Sequence, residues 1–364
     1  MRIAVDARVL QETAPTGVSR AALWHLEAVQ LAYPELEIEL HTRGLKPPHL
    51  PASLVDFKIV HHSAPNRLTN AFITAGYNQP KFFGECDIVW QPNPMFAPVP
   101  TVPTLVTVHD LSPYFWPEFF PFRTRYWYNA WVHRYLQTAH PLVTLAAVSE
   151  RTKRDIELNY PQWKGRVFVL PPAMPTPIEL YLPSNDGGIH FSKPYIVALS
   201  TIEPRKNMRA VVMAHKLLRK TIPDLSLVII GASKSDLALS EEDKQYVVGY
   251  INDTDRNRIM TGALAVVYPS YYEGYGYPAL ESFALNVPVV VSATGALPES
   301  VGNAGLYVSP DRAVEDLCAV ILSLNNDNAF RAQVVQAGRD RLQYLRSQYD
   351  PSHIVELWKK LLSA

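Results

Sequence analysis

A chain of 364 residues accommodates two domains of ordinary size, and 48% hydrophobic against 19% charged residues supplies cores for both. Lysine plus arginine and aspartate plus glutamate balance at 34 each, so no global field favours nucleic acid. The two cysteines, Cys86 and Cys318, are far apart and lack metal-ligand spacing, which excludes a disulfide framework and leaves two reduced thiols.

The amino terminus enters a strand at residues 3–6 with no signal peptide, and no apolar run reaches the ~18 residues of a membrane span. A cytoplasmic protein is expected. Residues 20–29 read as an amphipathic helix, and the loop at 14–19 before it holds Gly17, where backbone N–H groups can face an anion. Residues 36–41 alternate strictly, which predicts a strand with one wet face and Glu35, Glu37 and Glu39 as solvated edge charges. Residues 56–60, 88–90 and 105–108 add strands to the same sheet. His109 and Asp110 stand at the carboxyl end of the last, where open α/β sheets place ligands, and structural and functional readings of His109 are in balance.

Residues 114–140 are dense in aromatics, with Arg123, Arg125 and Arg134 and no acid after Glu118. A helix is expected from Arg123. It is either a core helix, with Tyr126, Trp127, Ala130 and His133 on one face, or an aromatic, basic surface for a membrane or a lipid-linked acceptor. A strand at 143–148, a helix at 149–159 capped by Ser149 and a strand at 166–170 complete an N-terminal domain of residues 1–172.

Residues 173–192, rich in proline and then glycine, read as a linker to a C-terminal domain of residues 193–345. A last helix at 346–364, after a break at Pro351, is expected to pack back on the N-terminal domain. In the C-terminal domain, Arg205, Lys206 and Asn207 separate a strand at 195–200 from a helix reaching Lys220. Cations at a helix N-terminus oppose the helix dipole, and a bound phosphate would reverse that penalty. Strands are expected at 225–231 and 246–250. Asp253 and Asp255 precede an apolar helical stripe and read as capping rather than metal ligands, so no metal site is expected.

The apolar run 264–268 reads as a buried strand, followed by a turn with Gly274 and Gly276 that permits positive φ. Pro278 suits a first helical turn, and Leu280, Phe283 and Ala284 form its apolar stripe. Glu273 and Glu281 thus flank a glycine turn at a helix N-terminus, a place for phosphate or sugar. Gly274, Gly276 and Ala279 also fit a dinucleotide fingerprint. The next strand, 287–292, runs into Ala293 and Thr294 with no acid for a ribose, which argues against NAD.

Glu273, seven residues and Glu281, with Gly-Tyr-Gly-Tyr-Pro between them, resemble the signature of family 4 retaining glycosyltransferases. The resemblance extends through Pro288-Val-Val, Gly295-Ala-Leu-Pro-Glu299 and Gly305, and upstream to Glu203-Pro-Arg-Lys-Asn207. It is close over residues 195–310 and looser over 1–170. It implies an α/β GT-B fold, two Rossmann-like domains with parallel sheets facing across a cleft. It also implies a nucleotide-diphosphate sugar as substrate, with no further cofactor. Arg205 and Lys206 would hold the leaving phosphate, Glu273 the sugar hydroxyls and Glu281 the ribose. Gly274, Tyr275 and Gly276 would line the donor, the Gly17 loop would face its diphosphate, and His109 would lie near its sugar. The backbone at Tyr250 and Ile251 is the candidate for the base. Two departures are Asn286 in place of a usual glycine, at a helix end where Asn tolerates the left-handed conformation, and Tyr275 and Tyr277 in place of Phe and Leu.

His109-Asp110-Leu-Ser-Pro113 resembles an element of bacterial mannosyltransferases acting on surface polysaccharides, which points to GDP-mannose. A saccharide or lipid-linked saccharide acceptor follows, met by peripheral contact at the inner membrane face. A sugar-nucleotide epimerase or phosphorylase of the same fold, and a sugar-nucleotide-binding protein without catalysis, remain alternatives.

Overall fold

The computed structural model describes the chain outside residues 12–15, 49, 77, 174–193, 200–202, 232–246, 250 and 364. Most of the expected linker therefore lies outside the described residues, as does Tyr250. The chain divides into one unit of Met1–Pro117, Pro121–Met174 and Tyr349–Ala364, and a second of Glu118–Phe120 and Pro175–Gln348.

The described residues of the first unit form a parallel sheet of seven strands: β1 (Arg2–Asp6), β2 (Glu37–Arg43), β3 (Lys58–His62), β4 (Ile88–Gln91), β5 (Thr104–Val108), β6 (Val143–Ala147) and β7 (Val167–Val169). Their order is β3-β2-β1-β4-β5-β6-β7, so the direction of winding reverses between β1 and β4. Ile3, Val5, Leu26, Trp90 and Leu105 share one buried cluster with Ile354 and Trp358 of the helix Ser352–Ser363. Trp358 is fully buried with its ring 5.9 Å from that of Trp90, so the end of the chain is part of this unit's core. The preceding helix, Asn328–Gln348, stops short of Pro351, and Asp350 accepts the Ser352 N–H at 2.7 Å to start the next.

Two expectations for this unit are corrected. The strand around residue 38 does not keep a wet face along its length, since His41 and Arg43, on the face of Glu37 and Glu39, are buried. Glu35 and Glu37 are exposed, but the Glu39 side chain is only 12% exposed and accepts from Lys58 at 2.7 Å. The aromatic stretch is likewise not one regular helix. It runs as Phe122–Trp127, a π-helical turn Tyr128–His133 and Arg134–Thr138. The wide turn rotates the buried face onto Tyr128, Val132 and Leu136, while Tyr126 stays 55% exposed and Phe122 73%.

The second unit's sheet comprises, among described residues, β8 (Tyr195–Leu199), β9 (Ser226–Ile230), β10 (Val247–Gly249), β11 (Ala265–Tyr268), β12 (Val289–Ser292) and β13 (Leu306–Val308). The order β10-β9-β8-β11-β12-β13 places the reversal between β8 and β11. Apolar runs such as Val289-Val-Val are buried on both faces, as a covered parallel sheet demands. At a reversal of this kind the loops leaving two neighbouring strands diverge and open a crevice at their carboxyl ends. Among the described residues, no helix is long and apolar enough to cross a membrane.

Candidate active site

The loops leaving β8 and β11 carry the densest buried charge of the second unit. After β8 the chain turns through a short 3-10 helix, Pro204–Lys206, and Asn207 adopts the left-handed conformation (φ 55°) before the helix Met208–Leu218. Arg205 and Lys206 thus precede the long helix rather than forming its first turn. After β11 the chain runs through Ser270 and Glu273 to Gly276, whose φ of 98° starts the helix Tyr277–Ala284. Gly274 does not take a positive φ, so the turn asks this of Gly276 alone. A Cβ at Gly276 would also come within 2.5 Å of Leu297.

Backbone contacts hold these loops in register. Tyr271 N–H donates to Arg205 O at 2.8 Å, and Ala296 N–H donates to Glu273 O at 2.9 Å. Gly295, at φ 59°, lies so close that a Cβ there would meet the Glu273 carbonyl oxygen at 2.6 Å. Glu273 is therefore clamped from its own backbone before any side-chain contact is made.

Its carboxylate meets two cations. Lys206 Nζ donates to Glu273 Oε1 at 2.6 Å, and Arg205 Nη1 lies 3.2 Å from the same oxygen. Arg205 also donates to Tyr272 O at 3.0 Å and to Glu203 at 3.1 Å. Burial pushes the Glu273 pKa up, but Lys206 and Arg205 outweigh it and hold the carboxyl at about 2. Burial and the neighbouring Arg205 lower the Lys206 pKa, against the pull of Glu273. The anion anticipated beside these cations is thus supplied within the protein by Glu273 and Glu203.

Glu281 sits in a second pair. It is 3% exposed and receives Arg256 Nη2 at 3.3 Å. Arg256 belongs to the helix Asp253–Thr261, whose N-cap is Asn252, accepting the Asp255 N–H at 2.8 Å. Capping thus falls to Asn252 rather than to the aspartates, which occupy the first turn and pair with Arg256 and Arg258. Tyr275 and Tyr277 are buried with rings 5.7 Å apart. Ile251 packs half-buried against a cluster containing Ile259 and Met260. Asn286 adopts φ 60°, the conformation expected there, and accepts from Arg339 at 2.6 Å.

Gly17 and His109 belong to the first unit. Gly17 is the exposed first residue of the helix Gly17–Ala32, capped by Thr16 and Ser19, rather than part of a loop. His109 follows β5, and its Nε2 donates to Pro92 O at 2.9 Å. Burial lowers its pKa, against the Pro92 bond and Asp110. Asp110 accepts from both the backbone and the hydroxyl of Ser112, at 2.8 and 2.6 Å, which fixes the turn.

The structure therefore joins Arg205, Lys206 and Glu273 in one cluster and gives Glu281 its own arginine. Two partners in these clusters escaped the sequence reading: Arg256, taken as part of a helix start, and Tyr268, taken as the end of an apolar run, whose phenol oxygen accepts from Lys206. Chemically, a buried and a half-buried cation beside a rigid carboxylate can take an anionic group and orient a hydroxyl-bearing one next to it.

Residues 185–341 match the family described as Glycosyl transferases group 1. The chain is similar to O-antigen chain mannosyltransferase B of Escherichia coli, 31% identical over 242 residues that make up 62% of this chain and 62% of that protein. It is also similar to a glycogen synthase of Mycobacterium tuberculosis, 31% identical over 156 residues, 40% of this chain and 37% of that protein. The chain thus matches less than two thirds of the length of these relatives. Among solved structures, a sucrose-phosphate synthase from Thermosynechococcus elongatus aligns with a TM-score of 0.71 at 18% identity, covering 99% of this chain and 98% of that one. At that identity the likeness is one of fold, the GT-B class with its two Rossmann-like parallel sheets.

Proposed function

We propose, from the premise that this chain carries a glycosyl transferases group 1 domain at residues 185–341, that it is a retaining glycosyltransferase drawing on a nucleotide-diphosphate sugar. The observation that carries this reading is the cluster of Arg205, Lys206 and Glu273 at the reversal of the second sheet. The chemical demand is to stabilise a departing diphosphate while positive charge builds on the sugar ring. Arg205 can grip phosphate oxygens as a fork and Lys206 as a point charge. Glu273, fixed and ionised, orients sugar hydroxyls and favours the oxocarbenium-like ring. Glu281 receives the ribose hydroxyls, held in place by Arg256.

The bond from the anomeric carbon to the leaving phosphate oxygen breaks as the acceptor hydroxyl bonds to the same face of that carbon. The acceptor proton passes to the departing phosphate, so no protein nucleophile takes part. With two cations neutralising the leaving group, the reaction proceeds without a metal ion.

Mannose, from GDP-mannose, is the proposed sugar. Support comes from the relative named as an O-antigen chain mannosyltransferase and from the turn after β5 built on His109, Asp110 and Ser112. A lipid-linked saccharide is the proposed acceptor, supported by the exposed Phe122 and Tyr126 beside Arg123 and Arg125 in the first unit. Calorimetry with GDP, UDP and dTDP, followed by assay of mannose transfer from GDP-mannose, tests the reading. GDP should bind tightest and transfer should follow; a preference for UDP overturns the mannose assignment.

A further inference from the structure

The Lys206–Glu273 pair has a third member. Tyr268, the last residue of β11, is 2% exposed, and its phenol oxygen accepts a hydrogen bond from Lys206 Nζ at 2.6 Å. The ammonium also lies 4.7 Å from the ring centroid, a distance that the short approach to the oxygen already imposes, so the contact is a hydrogen bond rather than a stack over the ring face. Lys206 thus directs two of its three N–H donors within the protein, to Tyr268 and to Glu273. A phenol oxygen that accepts one bond still has its own O–H to give. That O–H is given to Glu273, whose charge, after burial itself, is the main influence opposing the phenol's ionisation.

A buried carboxylate that loses one of its cations is left undercompensated, at a cost that rises with burial. In the proposed reaction a diphosphate draws Lys206 and Arg205 toward itself. Glu273 then depends on its remaining donors if it is to stay ionised and fixed beside the sugar. We propose that Tyr268 is a positioning residue whose O–H, given to Glu273 while its oxygen accepts from Lys206, holds that carboxylate in place once the diphosphate has drawn Lys206 away. No proton is transferred and no covalent bond changes; the bond from Tyr268 to Glu273 is kept while those from Lys206 are given up. The groups acting on Glu273 in this exchange are Lys206, Arg205, Tyr268 and the neighbouring Ser270. This inference rests on the glycosyltransferase reading.

The test compares wild type with Tyr268→Phe in the full chain: GDP and UDP affinity by calorimetry, kcat and KM for transfer from the nucleotide sugar, and the dependence of kcat on pH. Nucleoside diphosphate affinity should stay within about twofold, because the phosphate-binding cations remain. The value of kcat should fall about tenfold or more, as the loss of a hydrogen bond to a charged group gives. The acid limb of kcat should move to higher pH, because Glu273 has lost a donor that favours its ionised form. Should Tyr268→Phe melt below the assay temperature, fluorotyrosine at position 268 preserves the shape while strengthening the donor, and the acid limb should then move to lower pH. A working wild type with an unchanged kcat and acid limb in either variant overturns this inference alone. A wild type that binds no nucleoside diphosphate and transfers no sugar overturns the glycosyltransferase reading, and this inference with it.

Discussion

The two units bury paired charges and neutral imidazoles in different proportions. In the second unit the groups arrive as compensated charges: Lys206 and Arg205 on Glu273, Arg256 on Glu281. The first unit also holds such a pair, Asp6 with Arg8 at the end of β1, but beside it stand neutral imidazoles. Burial, with His109 nearby, takes His25 down to about 3, and burial with the stacked His62 takes His41 to about 4. His25 meets the Tyr349 hydroxyl at 3.0 Å instead of a carboxylate. A compensated pair withstands mild acid but suffers when one partner is removed. A buried neutral imidazole has the reverse weakness, since protonation strands a charge without a counter-ion. Glu273 illustrates the first case: with a folded pKa of about 2, its contribution is whole above about pH 4.5 and is lost only as pH falls toward 2. The contrast separates the charged cluster around Glu273, where we propose that a ligand phosphate exchanges for a protein partner, from the His25 and His41 sites, where burial keeps the imidazoles uncharged.

The sharpest way to break this contrast is to remove one member of the paired region. Lys206→Ala deletes a cation that we propose holds the leaving phosphate and leaves Arg205 as the one cation on Glu273 among the described residues. Turnover should fall by about a hundredfold or more, as removal of a charge-stabilising group does in other enzymes. EDTA should leave wild-type turnover unchanged. A strict requirement for a divalent ion would overturn this account and return attention to Asp253 and Asp255, now paired with Arg256 and Arg258.

Mild acid probes the other region. The folded pKa of His25 is depressed to about 3 from 6.5, so below pH 6.5 the unfolded chain binds a proton that the folded one does not. Stability from this group is therefore complete above about pH 6.5 and is lost as pH falls. One such proton removes about 1.4 kcal/mol per pH unit, on the order of 2 kcal/mol between pH 6.5 and 5. Urea denaturation across this range should show His25→Phe with a slope shallower by about one proton, while His41 maintains part of the decline. Parallel pH dependences in the two proteins would count against a neutral buried His25.

The same contrast governs how much could be read in the sequence. The donor-side segment was legible because its signals are local: Gly276 must take φ 98°, Pro278 opens the helix, and Asn286 tolerates φ 60°. Arg256 was not legible, because its partner Glu281 lies 25 residues away and only the tertiary fold brings them together. Tyr268 was hidden because a tyrosine ending an apolar run has the appearance of core, and it is core except for one oxygen. In the first unit, alternation in β2 suggested a wet face along the strand, but Glu39 is covered beside Lys58 and His41 beside His62, contacts that local pattern does not encode. The aromatic stretch was legible as helical but not in phase. One π-helical turn shifted the buried stripe from Tyr126, Ala130 and His133 to Tyr128, Val132 and Leu136.

That shift in phase has a consequence at the surface, and it gives the smallest expected effect. With Tyr128, Val132 and Leu136 turned inward, Phe122 and Tyr126 are left 73% and 55% exposed, their rings 6.4 Å apart and nearly parallel. Arg125 lies 6.0 Å from the Phe122 ring, and the surrounding pocket of about 550 Å³ is lined by Pro117, Phe122, Arg125, Tyr126, Asn129 and Ala130. Aromatic rings suit the boundary between acyl chain and headgroup, and arginines suit lipid phosphates. Each arginine contributes about 1 kcal/mol at best near an anionic surface, so attachment should be weak and lost at high salt. Co-sedimentation with phosphatidylserine-containing vesicles should recover wild type at low salt, less at high salt, and little of Arg123→Glu/Arg125→Glu at either. The paired cluster of the second unit should be untouched, so the double variant should keep its affinity for nucleoside diphosphates. If wild type stays in solution at low salt and uses a lipid-free acceptor efficiently, this face has no part in meeting a membrane-held substrate.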